Sequence, residues 1–457
     1  MKINFSKIKL NEFIFNLIKK GKFFPLYIYI KMSLPKEINY SKTSSLPKGT
    51  SSLSVVVSPA NGASFGESQQ IQFNLPSRSY LVPESVYLRY KITFAGQTAD
   101  ADVKGAFPSF TPFQRLETLV GSSVVESISN WHQLNNMLMT CKVNYGQKAG
   151  LAYQSGVGLT AGTTAFTFDN MNGHDLIVTT DTYYCAIPVN CLFANADRLV
   201  PLKYMAASTI QLTTDTIANM CHAGTTLPTS VAITNCELVF DLVDFNAEVD
   251  DAVASMVDDR GKLMIKSQSY LSSGQSTTAV SSGSLEFIYS MRLASIKSLF
   301  LIMSGTHANS INKIFDSLDI TTGNGSYQFF VASTPYPSRA ISTVLNKAGV
   351  MAELSNAFGP AHDLISTNFS ITPAEFLKTN NSTTTIVQPG KFFVGVNTER
   401  LSTNAVLLSG VSSQNSPISV RIDINTATTN SQVLNLVALF DAILEIDVAS
   451  KQVQILQ

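Results

Sequence analysis

Five histidines, His132, His174, His222, His307 and His362, are where acid–base or metal chemistry would have to begin, because imidazole titrates near neutral pH and ligates metals. No two of them have the HxH or HExxH spacing that sets paired imidazoles on one ion. His174 beside Asp175 and His362 beside Asp363 have the composition of a base with an orienting acid. Neither is matched by a GxSxG elbow or another nucleophile, and both fall in segments read as loops, so exposed loop polarity explains them better. No GxxxxGK[ST] loop and no GxGxxG after a strand is present, which argues against nucleotide chemistry. The cysteines Cys141, Cys185, Cys191, Cys221 and Cys236 are odd in number and contain no CxxC, so they read as buried small hydrophobes in a reducing compartment. The expectation is a chain with no catalytic residues, no metal site and no cofactor.

The elements available to hold any site are mostly strands. Val86, Leu88, Tyr90, Ile92 and Phe94 alternate with Tyr87, Arg89, Lys91 and Thr93, the period of a half-buried strand. Leu285, Phe287, Tyr289, Met291 and Leu293 repeat this against Glu286, Ser290 and Arg292. Cys236, Leu238, Phe240 and Leu242, then Val420, Ile422 and Ile424, then Leu444, Ile446 and Val448 follow suit, interleaved with Glu237, Asp241, Arg421, Asp423, Glu445 and Asp447. Such faces suit antiparallel sheets packed as sandwiches. Helical spacing is sparse. Trp131, Leu134, Met137, Leu138 and Cys141 predict a helix that Asn130 would cap, and Ile341, Val344, Leu345 and Ala348 predict one capped by Ser338. A third, around 248–258 with Val249, Val253 and Met256 on one face, reads as a bridge between halves. Segments 144–182 and 356–390, rich in Gly, Thr, Ser and Asn, read as long surface loops.

The two halves echo one another. Phe113, Leu116, Glu117 and Gly121 are matched in type and spacing by Phe315, Leu318, Asp319 and Gly323, and Phe240–Asp241 by Phe440–Asp441. An offset near 200 residues is too long for a solenoid, whose units run to roughly 50, and points to two whole domains of one kind. Arg115 and Glu117 fall on one strand face as a surface ion pair, which says little about function.

Composition agrees. Only 14% of residues are charged and 45% are hydrophobic, which favours strands and polar turns over charged helices or disorder. Net charge is zero but uneven: residues 1–31 hold Lys2, Lys7, Lys9, Lys19, Lys20, Lys22 and Lys31 against Glu12, so the remainder is acidic and a poor match for nucleic acid. The apolar runs 13–18 and 23–30 are too short to span a bilayer and are split by lysines. Three readings stay open for this front end: an upstream extension with the true start at Met32, a flexible basic arm, or an interfacial membrane contact.

Pro76, Arg78, Tyr80, Leu81 and Val82 leading into the strand at 86–94, then Phe107 to Phe113, Arg115, Leu116, Glu117 and Gly121, resemble the first domain of the major capsid proteins of virophages and polinton-like viruses. Asn312, Phe315, Leu318, Gly325, Tyr327, Phe330, Pro335, Tyr336, Pro337 and Ser338 resemble the matching segment of the second. The family belongs to the adenovirus and tectivirus lineage. The resemblance covers roughly residues 50–457 and implies an all-β chain of two consecutive eight-stranded jelly-roll sandwiches, a double jelly roll, with a few short helices. It implies 1–51 as basic extension and arm, 52–245 as the first roll, 246–262 as linker helix and 263–457 as the second roll. Phe113, Arg115, Leu116, Glu117, Gly121, Phe315, Leu318, Asp319 and Gly323 would be structural motif positions. The implied function is that of a major capsid protein forming homotrimeric pseudo-hexagonal capsomers of an icosahedral double-stranded DNA virus. Its partners would be itself, neighbouring capsomers and a minor capsid or penton protein, with weak contact of the arm, through Lys36, Lys42 and Lys48, to genome or internal membrane. It would reside in the virion, assemble in the host cytoplasm or nucleus, and take no small-molecule substrate. A cupin-type metal enzyme on the same fold would need a histidine cluster. The alternative is a two-sandwich carbohydrate-binding or adhesion protein, weakened by the presence of a single Trp.

Overall fold

Alternating apolar residues build two sandwiches with the same strand order. The computed structural model describes residues 49–97, 101–103, 105, 107–156, 174–176, 180–223, 226–255, 257, 261–277, 282–305, 325–343, 345–359, 371, 393–399, 408–424 and 432–456. The readings of the basic front end, of His307 and His362, and of Phe315, Leu318, Asp319 and Gly323 lie outside the described residues.

In the first sandwich the strands are β1 (Ser51–Val57), β2 (Gln70–Asn74), β3 (Tyr87–Ala95), β4 (Phe113–Val120), β5 (Ser123–Ser129), β6 (Thr180–Pro188), β7 (Ser208–Thr214) and β8 (Ser230–Asp244). One sheet runs β1-β8-β3-β6 and the other β2-β7-β4-β5. In the second they are β9 (Lys262–Thr277), β10 (Gly283–Tyr289), β11 (Ile296–Gly305), β12 (Ser326–Val331), β13 (Thr334–Ser342), β14 (Phe393–Asn397), β15 (Ile418–Ile424) and β16 (Gln432–Asp447). Their sheets run β9-β16-β11-β14 and β10-β15-β12-β13. Adding eight to each label turns one domain's order into the other's, so both are eight-stranded jelly rolls. Ser64–Phe65 and Tyr80–Leu81 add to β8, and Val453–Leu456 adds to β16.

The predicted alternation in β3 holds: Leu88, Tyr90, Ile92 and Phe94 are buried while Tyr87 and Arg89 are exposed. β8 buries Leu238, Phe240 and Leu242, and β15 buries Ile418, Val420, Ile422 and Ile424. Met291 and Leu293 continue the alternation of β10 past its end at Tyr289. All five cysteines are buried in the first roll, and burial pushes the Cys185 and Cys236 thiols up to about 12.

Three helices carry most of the helical structure. α1 (Trp131–Lys142) matches its prediction, but Asn130 does not cap it: Asn130 sits at φ +52°, makes no side-chain bond to the helix and donates Nδ2 to Asn435 Oδ1 at 3.2 Å. α2 (Ala247–Ser255) lies between β8 and β9 and is tied back by Asp250 to Lys203 and to the Tyr80 hydroxyl. α3 (Lys347–Phe358) corrects the sequence reading, since Ser338 and Ile341 lie in β13 and the helix is capped by Asn346, which accepts from Gly349 N at 2.9 Å. Propensity at 341–348 is weak, and pairing with β12 decides the strand. Helical turns at Tyr145–Gly150 and Ala152–Ser155, and a strand at His174–Leu176, occupy part of the segment read as loop. Among the described residues no helix is long and apolar enough to cross a membrane.

Candidate assembly surface

The two rolls meet along one seam, and its chemistry follows from short polar side chains. β5 is the outer strand of its sheet and β9 the outer strand of the sheet in the next roll. An outer strand leaves backbone groups unpaired, and these need a partner or a cover. β9 meets this with serines: Ser267 Oγ donates to Leu192 O at 2.7 Å, Ser272 Oγ to Ser129 O at 2.6 Å, and Ser269 Oγ to Glu126 Oε1. Asp197 N donates to Lys266 O at 2.9 Å and Ala206 N to Lys451 O at 2.7 Å. Asn435, buried on β16, donates Nδ2 to Gln133 Oε1 of α1. A Cβ at Gly274 would come within 2.5 Å of Asn435 Oδ1, so the glycine is what lets that amide lie across β9.

Glu126 is the buried centre of this seam. Oε2 accepts from Leu192 N at 2.8 Å and Thr118 Oγ1 at 2.9 Å, and Oε1 takes the Ser269 hydroxyl. Burial raises its pKa, against the pull of the three donors in the other direction. Beside it, burial pushes the Cys191 thiol up to about 12, with the Glu126 charge adding to the shift.

The duplicated strand order shows where the counterparts of this seam lie. Val55 of β1 opposes Phe240 and Leu53 opposes Leu242, just as Ser269 of β9 opposes Phe440 and Ser267 opposes Ala442. Ser267 and Ser269 are covered by the first roll, whereas Leu53 is 54% exposed and Val55 half-buried. In the second roll β13 takes the place of β5, and its Ser338, Arg339 and Ala340 are exposed. Leu345, just ahead of α3, is 80% exposed, while α1, the helix after β5, is buried along most of its length. Among the described residues, the positions on β1 and β13 that match the covered seam on β9 and β5 are thus more exposed than their counterparts.

No family model matches the sequence, and no curated protein matches it. Solved structures do. The Faustovirus major capsid protein is similar with a TM-score of 0.60 at 9% identity, over 95% of this chain and 97% of its own. PBCV-1 VP54, fitted into a reconstruction of the virophage Sputnik, is similar with a TM-score of 0.58 at 8% identity, over 91% and 99%. The Sputnik virophage structure solved by cryo-EM gives 0.54 at 13% identity, over 95% and 94%. The fold is the double jelly roll of viral major capsid proteins.

Within this double jelly roll the first motif lies on β4 and the turn after it. Phe113 and Leu116 are fully buried on β4, Arg115 and Glu117 form the expected ion pair, and Gly121, at φ +61°, turns β4 into β5. The strand that takes β4's place in the second roll is β12, which begins at Ser326, after the 315–323 motif. The double jelly roll's turn from β12 to β13 uses Ala332 and Ser333 at φ +49° and +66° instead of a glycine. The small strands Ala101–Val103, His174–Leu176 and Cys221–Ala223 form a sheet that puts His222 and Asp175 in register with Asp102. His132 is buried on α1.

Sequence reading missed the seam, although two signals for it were legible. Glu126 interrupts the apolar positions of β5, and Ser267 and Ser269 occupy β9 where β1 has Leu53 and Val55.

Proposed function

We propose that this protein is the major capsid protein of an icosahedral double-stranded DNA virus, assembling as homotrimers in which six rolls form a pseudo-hexagonal ring. The observation that carries this reading is the half-used contact: β5 of the first roll docks on β9 of the second, while the equivalent outer strands β13 and β1 keep exposed residues at the matching positions. A head-to-tail contact of this kind closes into a ring when the rotation permits, and three chains of two like rolls supply six near-equivalent positions. Leu53, Val55 and Leu345 are then the apolar centre of the seam between copies. Stable interfaces of this type bury more than about 2,000 Å².

The domain boundaries at 52–245 and 263–457, joined by a linker helix within 246–262, follow from this reading. So do a penton or minor capsid partner, a virion location after assembly in the host cytoplasm or nucleus, and contact of the basic front end with genome or internal membrane. Likeness in fold to capsid proteins supports the class. Size-exclusion chromatography with light scattering tests the trimer: the expected mass is three times the 49.5 kDa of the chain. A monomer at high concentration, with no ring in negative-stain images, would count against it.

A further inference from the structure

We propose that the Glu126 carboxyl is a protonation-dependent lock between the two rolls, holding β5 to β9 while neutral and loosening them once ionised. The carboxyl is buried where three segments meet: β4 through Thr118, the segment after β6 through Leu192, and β9 through Ser269. Its donors are neutral, two hydroxyls and one backbone N–H, and it forms no ion pair among the described residues, so a negative charge there is compensated only by hydrogen bonds. The cations of neighbouring elements are engaged elsewhere: Arg115 with Glu117 on β4, Lys262 with Glu445, and Lys266 with Asp441. Cys191 and Tyr270, each pushed up to about 12 by burial, are neutral near neutral pH, and the His132 imidazole is buried on α1.

The two hydroxyls at the site make both protonation states possible. Ser269 donates to the carboxylate but can turn and accept from a carboxylic acid, whereas Leu192 N–H donates in either state. Burial raises the pKa in the folded chain, so the favourable contribution is complete at acid pH and is lost as pH rises through that raised value. The lock is therefore closed in acid and weakened in alkali, the reverse of an ordinary salt-bridged carboxylate. The proposal concerns the contact within one chain and does not depend on the assembly reading.

Hydrogen exchange of residues 123–129 and 265–272 on the full-length protein, corrected for intrinsic rates, tests it between about pH 5 and about pH 8.5. Protection should fall as pH rises across that range, the direction set by a carboxyl whose pKa is raised in the folded chain. Trp131 gives a second readout, because it is the single tryptophan and its indole N–H donates to Asn190 O at 3.1 Å, two residues from Leu192. E126Q should flatten both profiles. S269A, which removes a donor to the ionised form and disturbs packing little, should move the midpoint to higher pH. A wild-type profile that is flat, or an S269A midpoint equal to wild type, overturns the proposal even if E126Q does not fold.

Discussion

β3 and β11 occupy the same place in their rolls and have opposite outer faces. In β3 the outward residues Tyr87 and Arg89 are exposed and Lys91 is half-buried, and Arg89 pairs with Glu237 across to β8. In β11 the run Leu299, Phe300, Leu301, Ile302 and Met303 is buried without alternation. The cause is α3, whose buried residues are Val350, Leu354 and Ala357 and whose Phe358 meets Phe300 with ring centroids 4.9 Å apart. α1, at the same point of the first roll, instead buries Trp131 against Phe110 and Phe113. One strand order thus accommodates a bare sheet and a helix-covered one, and the burial of the outer face follows from where a single helix goes.

Buried charge follows the same divide. Asp241 and Asp441 are matched in the two final strands, yet Asp241 is half-buried and Asp441 has no exposure. Asp441 Oδ2 accepts from Ser295 Oγ at 2.7 Å and Ser409 N at 2.8 Å, with Lys266 and Lys297 at 3.7 and 4.0 Å from Oδ1. Glu399 pairs with Lys297 at 3.3 Å and takes the Ser409 hydroxyl at 2.6 Å. The segment ahead of β15 is held to the sheet by this network.

Breaking these differences should give graded losses in denaturant-unfolding stability. Asp441→Ala removes the buried carboxylate that Ser295, Ser409, Lys266 and Lys297 share and should cost about 3–5 kcal/mol, with Asp241→Ala well below it. Phe300→Ala opens a cavity under α3 and should cost about 3–5 kcal/mol, provided α3 stays docked. Gly395→Ala places a Cβ 2.9 Å from Phe300 and 3.0 Å from Leu354, and overpacking of this kind should cost about 1–3 kcal/mol. Arg89→Ala, at the bare counterpart of this region, should change stability by less than about 1 kcal/mol. Equal costs for Phe300→Ala and Arg89→Ala would erase the distinction between the two faces. A separate readout sharpens the seam comparison: Leu53→Glu should leave monomer unfolding nearly unchanged while shifting the oligomer toward smaller mass in light scattering, since it puts charge on a surface that is exposed in the single chain.

The alternation of β3, β8 and β15 was legible because one face of each is wet, and a period of two records that directly. α1 was legible from its apolar spacing. β16 was not: Glu445 reads as an interleaved charge, but Lys262 binds it and it is buried, and nothing local marks Asp441 as the carboxyl that the 408–411 segment covers. Asn130 read as a cap, and the second roll took its amide instead. The start of α3 was misplaced because residues 334–342 pair with β12, a contact no local window contains.

By itself the amino-acid order determined strand type, the duplication into two like halves and the inward side chains of the wet-faced strands. These depend on local geometry and on the twofold period of the pleat. Tertiary structure alone decided which outer faces are covered, which carboxyls are buried and which edges are joined within the chain. Those depend on desolvation by segments far away in sequence: Glu126 is a surface residue by type and an interior one because β9, some 140 residues later, lies across it.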